Sequence, residues 1–233
     1  RPPRSTLFPY TTLFRSRMFK NAFKKIYTQD YIDGCESQID FILNNIESNK
    51  PIIDIASGKG YLVEKLLKET KNYVVATDFS PTILSRNKEY YKNKGLYNRL
   101  SLIAFDARKT PFKDNSIETL TSNFGLQNIE QSGEVIKEMK RITKGIFMPI
   151  MFFIDKKDNI HIDLFNKYGN AAFVTKENAV ETFKRAGWNV DIANSFLANI
   201  KPTPEGEILK GARIDGFPIV DTKIEFCVIK ANK

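Results

Sequence analysis

Ile52-Ile53-Asp54-Ile55-Ala56-Ser57-Gly58-Lys59-Gly60-Tyr61-Leu62 is the stretch that decides the fold. Its apolar beginning predicts a buried strand, and its glycines predict a tight turn that leads into a helix. Further along, Val74-Val75-Ala76-Thr77-Asp78 predicts a second buried strand, which also ends in a carboxylate. In a parallel sheet both carboxylates would lie at the carboxyl edge, where nucleotide-type cofactors bind.

Strands and helices are predicted to alternate along the chain. Apolar runs predict further strands at 100–105, 117–122, from Gly145, at 188–193 and at 223–230. Apolar residues spaced by three and four predict helices at 31–47, after Gly60, after Pro81, at 134–143 and at 176–186. Ser80 is the expected N-cap of the helix after Pro81, and Gly145 is expected to cap the end of the helix at 134–143. This alternation predicts an α/β fold, doubly wound, with a mostly parallel sheet and helices on both faces.

Two segments fit this pattern poorly. Pro149 falls within the fifth strand, and proline is rare in central strands. We therefore expect that strand to end at Met148 or to carry a bulge. The segment 195–222 is long and rich in proline and glycine for a hairpin loop. Loops of this length are typically functional or mobile.

Residues 1–17 are set apart from the rest of the chain. Thr6–Ser16 resembles the translation of a widely used sequencing-adapter oligonucleotide. The alternative is a natural leader such as a transit peptide, which has a similar composition. We expect a non-native leader over 1–17 and a single domain over 18–233. The leader carries four arginines and no acid, so the formal charge falls from +9 to +5 without it.

Composition narrows the class of protein further. The excess of five positive charges is mild and comes without a long basic run, which argues against a nucleic-acid partner. Cys35 and Cys227 are the only cysteines, and no metal-ligand motif is present. Unpaired thiols favour a reducing compartment. The longest apolar run, 145–154, is far shorter than the roughly 20 residues of a membrane span. The sequence thus predicts a cytoplasmic protein with no metal site and no membrane span.

The glycine turn differs from the turn that binds dinucleotides. A dinucleotide site has G-x-G-x-x-G, but Val63 stands here in place of the last glycine, and Ala56 stands at the first position of the turn. The pattern is D-x-A-x-G-x-G. Glycines let the backbone approach a ligand, and the following helix points free N–H groups into the same crevice. The turn therefore argues against an NAD-linked reductase.

The D-x-A-x-G-x-G pattern resembles motif I of the class I S-adenosylmethionine-dependent methyltransferases. Three further segments, 74–81, 105–112 and 121–129, resemble the next three motifs of that family in the expected order. The last of them is similar to its form in ubiquinone/menaquinone C-methyltransferases and related small-molecule enzymes. The segment 138–145 matches the helix and turn into strand five. The similarity runs from about residue 31 to residue 154.

This resemblance implies a seven-stranded, Rossmann-like sheet of order 3-2-1-4-5-7-6 with strand seven antiparallel. It also implies a site for S-adenosylmethionine, with S-adenosylhomocysteine as the product. The implied cofactor-binding residues are Asp54, Ala56, Ser57, Gly58, Gly60, Asp78, Phe79, Asp106, Ala107, Asn123 and Phe124.

The resemblance gives roles to the three acids of this set. Asp78 would accept hydrogen bonds from the ribose hydroxyls, and Asp106 with Ala107 would lie against the adenine. Asp54 would organise the glycine turn and face the cofactor's ammonium. Plainer interpretations remain open, namely a helix cap for Asp54 and turn residues for Asp78 and Asp106. Ala56 replaces the family's usual glycine, which costs little at negative φ and more at positive φ.

No residue is assigned a catalytic role from the sequence. Methyl transfer needs the two reactants held in line, and a base only where the acceptor must lose a proton. His161, the only histidine, follows strand five, and we expect a structural role for it. Asn123 and Asn128 are expected beside the transferred methyl, although Asn128 could instead cap the next helix. The helices from Met18 and the segment 195–222 are expected to form the acceptor pocket or its lid.

The sequence therefore predicts methyl transfer from S-adenosylmethionine to a small molecule. The motif of amino-methylating nucleic-acid enzymes, Asp/Asn-Pro-Pro-aromatic, does not follow strand four, and no cysteine lies near strands four or five to attack a pyrimidine. An RNA or protein methyltransferase remains an alternative, because the charge is modestly positive. A non-catalytic, cofactor-binding member acting through a partner is another, because of Ala56 and the lack of an obvious base. The oligomeric state is not predicted.

Overall fold

The computed structural model describes residues 29–167, 171–202 and 218–233. The predicted leader at 1–17, the acceptor segment from Met18 to residue 28 and most of the predicted loop at 195–222 lie outside these ranges. Within them, no helix is both long enough and apolar enough to cross a membrane.

The described elements follow the predicted order, except that no helix lies between the third and fourth strands and two helices, not one, lie between the fifth and sixth. The helices are α1 Gln29–Asn44, α2 Tyr61–Glu69, α3 Pro81–Asn93, α4 Ser132–Ile142, α5 Asn159–Lys167 and α6 Lys176–Arg185. The strands are β1 Ile52–Asp54, β2 Val74–Asp78, β3 Leu100–Ala104, β4 Ile117–Asn123, β5 Thr143–Ile154, β6 Asn189–Ile200 and β7 Thr222–Asn232. Short 3-10 turns lie at Tyr97–Arg99, Leu126–Asn128 and Ala171–Phe173.

All seven strands form one sheet of order β3-β2-β1-β4-β5-β7-β6. The first five strands pair in parallel, and β7 is antiparallel to both β5 and β6. The predicted strand order and the direction of strand seven are therefore confirmed. Because β7 runs backwards, its first residues lie at the carboxyl edge of the parallel strands, where Ile224 pairs with Ile154.

Apolar side chains cover both faces of the sheet. On one face, Ile39 and Ile42 of α1 and Leu66 of α2 pack with Met148 and Val228 of the sheet, and all five are buried. On the other face, α4 and α6 pack against β5 and β7. The apolar faces of these helices are the ones that the spacing of three and four predicts. The core therefore lies in two layers, one on each side of the sheet.

The start of β5 differs from the prediction at Gly145. Helix α4 ends at Ile142, and Thr143 rather than Gly145 is its C-cap. Gly145 lies inside the strand, where an added Cβ would be 2.4 Å from the carbonyl oxygen of Glu118 on β4. Glycine is needed there because two strands approach closely, not because a helix ends.

Pro149 does not end β5. The strand continues to Ile154, and Pro149 pairs with Ser122 on β4. Pairs with β7 are present at Phe147 and at Ile150 but not at the two residues between them. The missing N–H of proline therefore falls in a gap of the ladder to β7, which explains why a central strand tolerates it.

Strand β6 is longer than predicted. It was expected to end at Ala193 but continues to Ile200, past a bulge between Ala193 and Phe196. Beyond the bulge, Ala198 and Ile200 are buried while Leu197 is exposed, which is the period of two typical of a strand. This alternation was not predicted because it comes after a polar stretch. Residues 195–200 are thus strand, not loop.

Candidate functional site

The turn between β1 and α2 has left-handed backbone at three positions. The φ angle is 53° at Ala56, 52° at Gly58 and 77° at Gly60. Glycine adopts this conformation without a steric penalty, whereas alanine does not. The turn keeps the geometry of a glycine-rich loop at Ala56, so the side chain there is strained. The sequence alone did not determine whether φ at Ala56 is positive or negative.

Ala56→Gly is expected to raise the free energy of unfolding by about 0.5–1 kcal/mol, because glycine relieves the strain at positive φ. Urea denaturation of the two proteins measures the difference. Ala179→Gly, in the helical backbone of α6, is the matched control and is expected to lower stability. A loss of stability in both variants would show that Ala56 is not strained.

Ser57 joins the turn to β2. Its backbone N–H donates to the Thr77 carbonyl at 2.7 Å, and its hydroxyl accepts from the Thr77 N–H at 3.0 Å. The same hydroxyl and the Thr77 hydroxyl donate to the Asp54 carbonyl at 3.0 and 2.9 Å. The ends of β1 and β2 are therefore held together by the side chain that the motif places between Ala56 and Gly58.

Asp54 ends β1 with a carboxyl group that is almost fully buried, at 1% exposure. Its Oδ1 accepts a hydrogen bond of 2.7 Å from the hydroxyl of Thr121 on β4. Burial raises the pKa of Asp54 to about 6, the bonds from Thr121 and Ser57 oppose this rise, and the negative charge of Asp78 adds to it. Asp54 is therefore a carboxylate that a nearby cation would stabilise.

Asp78 ends β2 with both carboxylate oxygens bonded to backbone N–H groups. Gly58 donates to Oδ2 and Ser80 donates to Oδ1, each at 2.9 Å. Burial raises the pKa of Asp78, and these backbone bonds oppose the rise. Each carboxylate oxygen has a further lone pair, so two hydroxyl donors can still be accepted. The Ser80 side chain also caps α3, as predicted, by accepting from the Ile83 N–H.

Asp106, which follows β3, is paired with Arg108. The Arg108 Nη2 lies 2.6 Å from Asp106 Oδ2, and its Nε lies 3.0 Å from both carboxylate oxygens. The hydrogen bonds from Arg108 lower the pKa of Asp106. The Asp106 carboxylate is therefore ionised, and the guanidinium of Arg108 balances its negative charge. Ala107 is buried, while Phe79 after β2 is 56% exposed. An aromatic ring left open beside Asp78 offers an apolar surface to a ligand.

Asn123 and Phe124 lie at the end of β4, as predicted. Phe124 has φ 53°, and its N–H donates to the Ile150 carbonyl at 3.0 Å. The Asn128 side chain donates to the Phe124 carbonyl at 2.8 Å. The alternative that Asn128 caps α4 is wrong, because Gln131 is the N-cap residue of that helix. Asn128 instead holds the strained turn that carries Phe124.

Four further residues of the site were missed by sequence reasoning. Asn87 of α3 donates to the Gly58 carbonyl at 2.8 Å, and Tyr91 donates to the Gly60 carbonyl at 2.8 Å. The hydroxyl of Thr121 donates to the Asp54 carboxylate. Gln127 lies just after β4, and its side-chain amide donates to the Phe152 carbonyl and accepts from the Phe152 N–H. Only Thr121 carried a signal, as a hydroxyl within a buried apolar strand. Within the described ranges, no group of three or more His, Cys, Asp or Glu residues is placed to hold a metal ion.

This arrangement fits a cofactor that brings both a cation and hydroxyl donors. Asp54 and Asp78 are two buried carboxylates whose charges disfavour each other. The glycine turn and the start of α2 lie between them, and a Cβ added at Gly58 would meet open space. The ammonium and ribose hydroxyls of S-adenosylmethionine would supply such a positive charge and such donors. The fold and the site therefore define the class of nucleoside-binding, Rossmann-like methyltransferases.

Comparisons with known proteins agree with this class. Residues 53–146 match the family model described as a methyltransferase domain. The ubiquinone/menaquinone biosynthesis C-methyltransferase UbiE of Pseudomonas entomophila (strain L48) is 31% identical over 180 residues, which are 75% of this chain and 68% of that protein. The chain belongs to the class I S-adenosylmethionine-dependent methyltransferases and uses S-adenosylmethionine as its cofactor.

Solved structures show the same fold. The YcgJ protein from Bacillus subtilis superposes with a TM-score of 0.68 at 12% identity, covering 85% of this chain and 98% of that one. Geranyl diphosphate C-methyltransferase from Streptomyces coelicolor A3(2), in complex with Mg2+, geranyl diphosphate and S-adenosyl-L-homocysteine, gives a TM-score of 0.61 at 11% identity, covering 84% and 78%. At such low identity these likenesses concern the fold.

The affinity for S-adenosylmethionine is expected to fall below about pH 6. The pKa of Asp54 without cofactor is about 6, so acid protonates the group that is expected to face the cofactor's ammonium. The fall should approach tenfold per pH unit at most. The pH dependence of the stability of the fold has the opposite sign. The raised pKa means that Asp54 favours the folded state at low pH, and this contribution is lost as the pH rises from about 4 to about 6. Calorimetric titration between pH 5 and pH 8 measures the first effect.

Asp54→Asn is the matched control for this pH dependence. It keeps the shape of the side chain but has no group to titrate. Its affinity should be lower at pH 8 and flat across the range. A wild-type affinity that does not change between pH 5 and pH 8 would contradict the role given to Asp54.

Proposed function

We propose that this methyltransferase acts on an apolar small molecule that carries a ring, of the kind found in quinone precursors. The cofactor supplies an activated methyl group on sulfur. The residues of the chain then have to bind the acceptor beside it, orient the accepting atom and keep water out. The observation that carries this proposal is an apolar, aromatic cluster that includes Phe124.

The aromatic cluster is defined as five phenylalanine side chains at the carboxyl edge of the sheet: Phe124, Phe152, Phe165, Phe196 and Phe226. Phe124 lies 5.9 Å from Phe226 and 6.1 Å from Phe152, measured between ring centroids. Phe196 stacks on Phe226 at 5.1 Å, and Phe165 lies 6.2 Å from Phe152. Other apolar side chains complete it, including Ile154, Val174, Ala198, Ile200 and Ile224.

The position of the cluster relates it to the acceptor. Phe124 belongs both to the cluster and to the turn after β4, which the resemblance places beside the cofactor. Helix α1 covers the cluster on one side, since Ile32 and Cys35 pack against it. A Cβ added at Gly34 would lie 2.5 Å from the Phe196 ring, so the helix approaches the ring closely. An acceptor bound here meets hydrocarbon and aromatic faces, which favours an apolar ring.

We propose the following cofactor contacts, because the contacts described above support them. Asp78 binds the ribose hydroxyls, Asp54 faces the ammonium, and the N–H groups at the start of α2 face the carboxylate. Phe79, Asp106 and Ala107 surround the adenine. Ala56, Ser57, Gly58 and Gly60 shape the turn, and Asn123 and Phe124 border the methyl group.

The names of two of the proteins above support an acceptor with an apolar part. One refers to ubiquinone/menaquinone biosynthesis, and the other to C-methylation of geranyl diphosphate, whose hydrocarbon chain is apolar. The proposal also places the enzyme in the cytoplasm and excludes nucleic acid as its acceptor. Arg108, beside the cofactor site, is neutralised by Asp106, and Lys65 is neutralised by Glu36, which reduces the attraction for a phosphate backbone. Cys35 and Cys227 are not joined in a disulfide, which is compatible with a reducing compartment.

Phe226→Leu tests the proposal, with Phe183→Leu as the matched control. Both phenylalanines are buried, but Phe226 lies in the aromatic cluster and Phe183 lies on the opposite face of the sheet. The probe is 2-prenyl-1,4-naphthohydroquinone, and sarcosine is the polar control acceptor. Loss of aromatic contacts of about 0.5–1.5 kcal/mol is expected to raise the KM for the probe about fivefold in Phe226→Leu alone. The affinity for S-adenosylmethionine should stay unchanged.

Methylation of sarcosine but not of the naphthohydroquinone would overturn the proposal of an apolar acceptor. So would an equal rise in KM in the two variants, since that would reflect general loosening of the fold.

A further inference from the structure

His161 is a buried titratable side chain that the chemistry above does not use. It lies in the first turn of α5 and is 0% exposed. Its Nδ1 lies 2.7 Å from Asp158 Oδ2, and its Nε2 lies 3.0 Å from the backbone nitrogen of Ile219. Ile219 precedes β7 by three residues, so the ring joins two segments far apart in the chain.

The hydrogen bonds define one state of the His161 ring. The Ile219 backbone nitrogen can only donate, so Nε2 must accept and carries no proton. Nδ1 then carries the proton of the neutral ring and donates it to the Asp158 carboxylate. A positively charged ring would turn a donor toward the Ile219 N–H and break that bond. The contact with Ile219 therefore exists only in the neutral, Nδ1-protonated form.

Asp158 extends the network to β7. Its Oδ2 accepts from the hydroxyl of Thr222 at 2.5 Å, and its Oδ1 accepts from the His161 backbone N–H at 3.2 Å. Burial would raise the pKa of Asp158, but the bonds from Thr222 and His161 outweigh this and lower it. Asp158 is thus an ionised acceptor shared by α5 and the first residue of β7.

Both segments continue into the aromatic cluster. Phe165 lies on α5, one helical turn beyond His161, and Phe226 lies on β7, four residues after Thr222. Each ring centroid is 6.2 Å from that of Phe152 on β5. The β5–β7 ladder pairs Phe226 directly with Phe152, so the position of Phe165 relative to these two rings depends on how α5 is joined to the start of β7.

We propose that His161 is a positioning residue for the acceptor, because its two ring nitrogens join Asp158 to Ile219 and thereby fix Phe165 of α5 relative to Phe152 and Phe226. This inference rests on the proposed function, since it assigns the aromatic cluster to the acceptor. His161 acts through Asp158 and the start of β7, touches neither cofactor nor acceptor, and takes no proton from the acceptor.

Two variants separate the contacts of His161. In His161→Asn the amide reaches Asp158 but is too short to reach Ile219. In His161→Gln the amide oxygen reaches the position of Nε2 and can accept from the Ile219 N–H. We expect His161→Asn to raise the KM for 2-prenyl-1,4-naphthohydroquinone about tenfold. His161→Gln should stay within about twofold of the wild type, and both should leave the affinity for S-adenosylmethionine unchanged.

The ring state is tested by 15N NMR of the untagged protein, where His161 is the only histidine. The expected spectrum shows a protonated Nδ1 and an unprotonated Nε2. A protonated Nε2 would overturn the proposal. Equal KM values for the two variants would also overturn it. If His161 only filled space, the acceptor that His161→Gln keeps for the Ile219 N–H would make no difference to KM.

A wild-type enzyme that does not methylate the naphthohydroquinone would refute the proposed function but not this inference. Amide hydrogen exchange at Ile219, measured in the two variants, would then decide it. Faster exchange in His161→Asn than in His161→Gln supports the positioning role, and equal exchange refutes it.

Discussion

Asp78→Ala is expected to weaken the binding of S-adenosylmethionine at least 100-fold. The carboxylate can accept two charge-assisted hydrogen bonds from the ribose, and such bonds contribute about 1.5–3 kcal/mol each. It also accepts from the N–H groups of Gly58 and Ser80, so its loss frees the turn that the cofactor contacts. Calorimetric titration of the variant with S-adenosylmethionine measures the loss.

Asp78→Asn is the matched control for this prediction. The asparagine keeps the size of the side chain and one acceptor oxygen, so its affinity should lie between those of the wild type and the alanine variant. Burial raises the pKa of Asp78, so the ionised carboxylate lowers the stability of the protein without cofactor. Asp78→Asn should therefore lose little stability without cofactor, whereas Asp78→Ala should lose more because the Gly58 and Ser80 N–H groups lose their acceptor. Wild-type affinity in Asp78→Ala would remove Asp78 from the cofactor site.

Gly60→Ala is expected to destabilise the fold by about 2–4 kcal/mol. The φ angle of 77° strains any side chain, and a Cβ there would lie 2.1 Å from the Tyr91 hydroxyl. Tyr91 is fully buried and donates to the Gly60 carbonyl, so it has little room to move. Because Gly60 is the N-cap of α2, displacement there should also abolish cofactor binding. Thermal or urea denaturation measures the first effect, and titration measures the second.

Two controls separate strain from collision in this prediction. Gly58→Ala has a similar positive φ but no atom within 4 Å of the added Cβ, so it should cost only about 1 kcal/mol. Tyr91→Phe removes the colliding oxygen, so the double variant Gly60→Ala/Tyr91→Phe should recover part of the lost stability. Equal destabilisation by Gly58→Ala and Gly60→Ala would show that collision with Tyr91 is unimportant.

Much of the fold could be predicted from the sequence because its signals are local. Buried strands such as 74–78 are short apolar runs, and the glycine turn follows β1 directly. The positions of Asp54 and Asp78 follow from these two facts and from the geometry of parallel sheets. Gly145 and Pro149 were misjudged because their roles depend on the neighbouring strands. Gly145 faces the Glu118 carbonyl, and Pro149 faces a gap in the ladder to β7.

The supporting contacts of the site could not be predicted, for the same physical reason. Asn87 and Tyr91 reach the glycine turn from a helix that begins about 20 residues later in the sequence, and nothing in their neighbourhood marks them. The sequence did suggest a structural His161, but not that Ile219 would be its partner. Side chains that hold a backbone carbonyl or N–H depend on tertiary distance alone.

The proposed cofactor residues and most of the aromatic cluster come from different parts of the chain, which could therefore change independently during evolution. The acids and glycines proposed for the cofactor lie between residues 54 and 107, whereas most of the aromatic cluster comes from β5, α5, β6 and β7. Phe124 alone is proposed both to border the cofactor's methyl group and to belong to the aromatic cluster. We therefore consider a chimaera in which the chain after Phe124 is replaced by that of a related enzyme. Such a chimaera is expected to change its acceptor preference and to keep its cofactor.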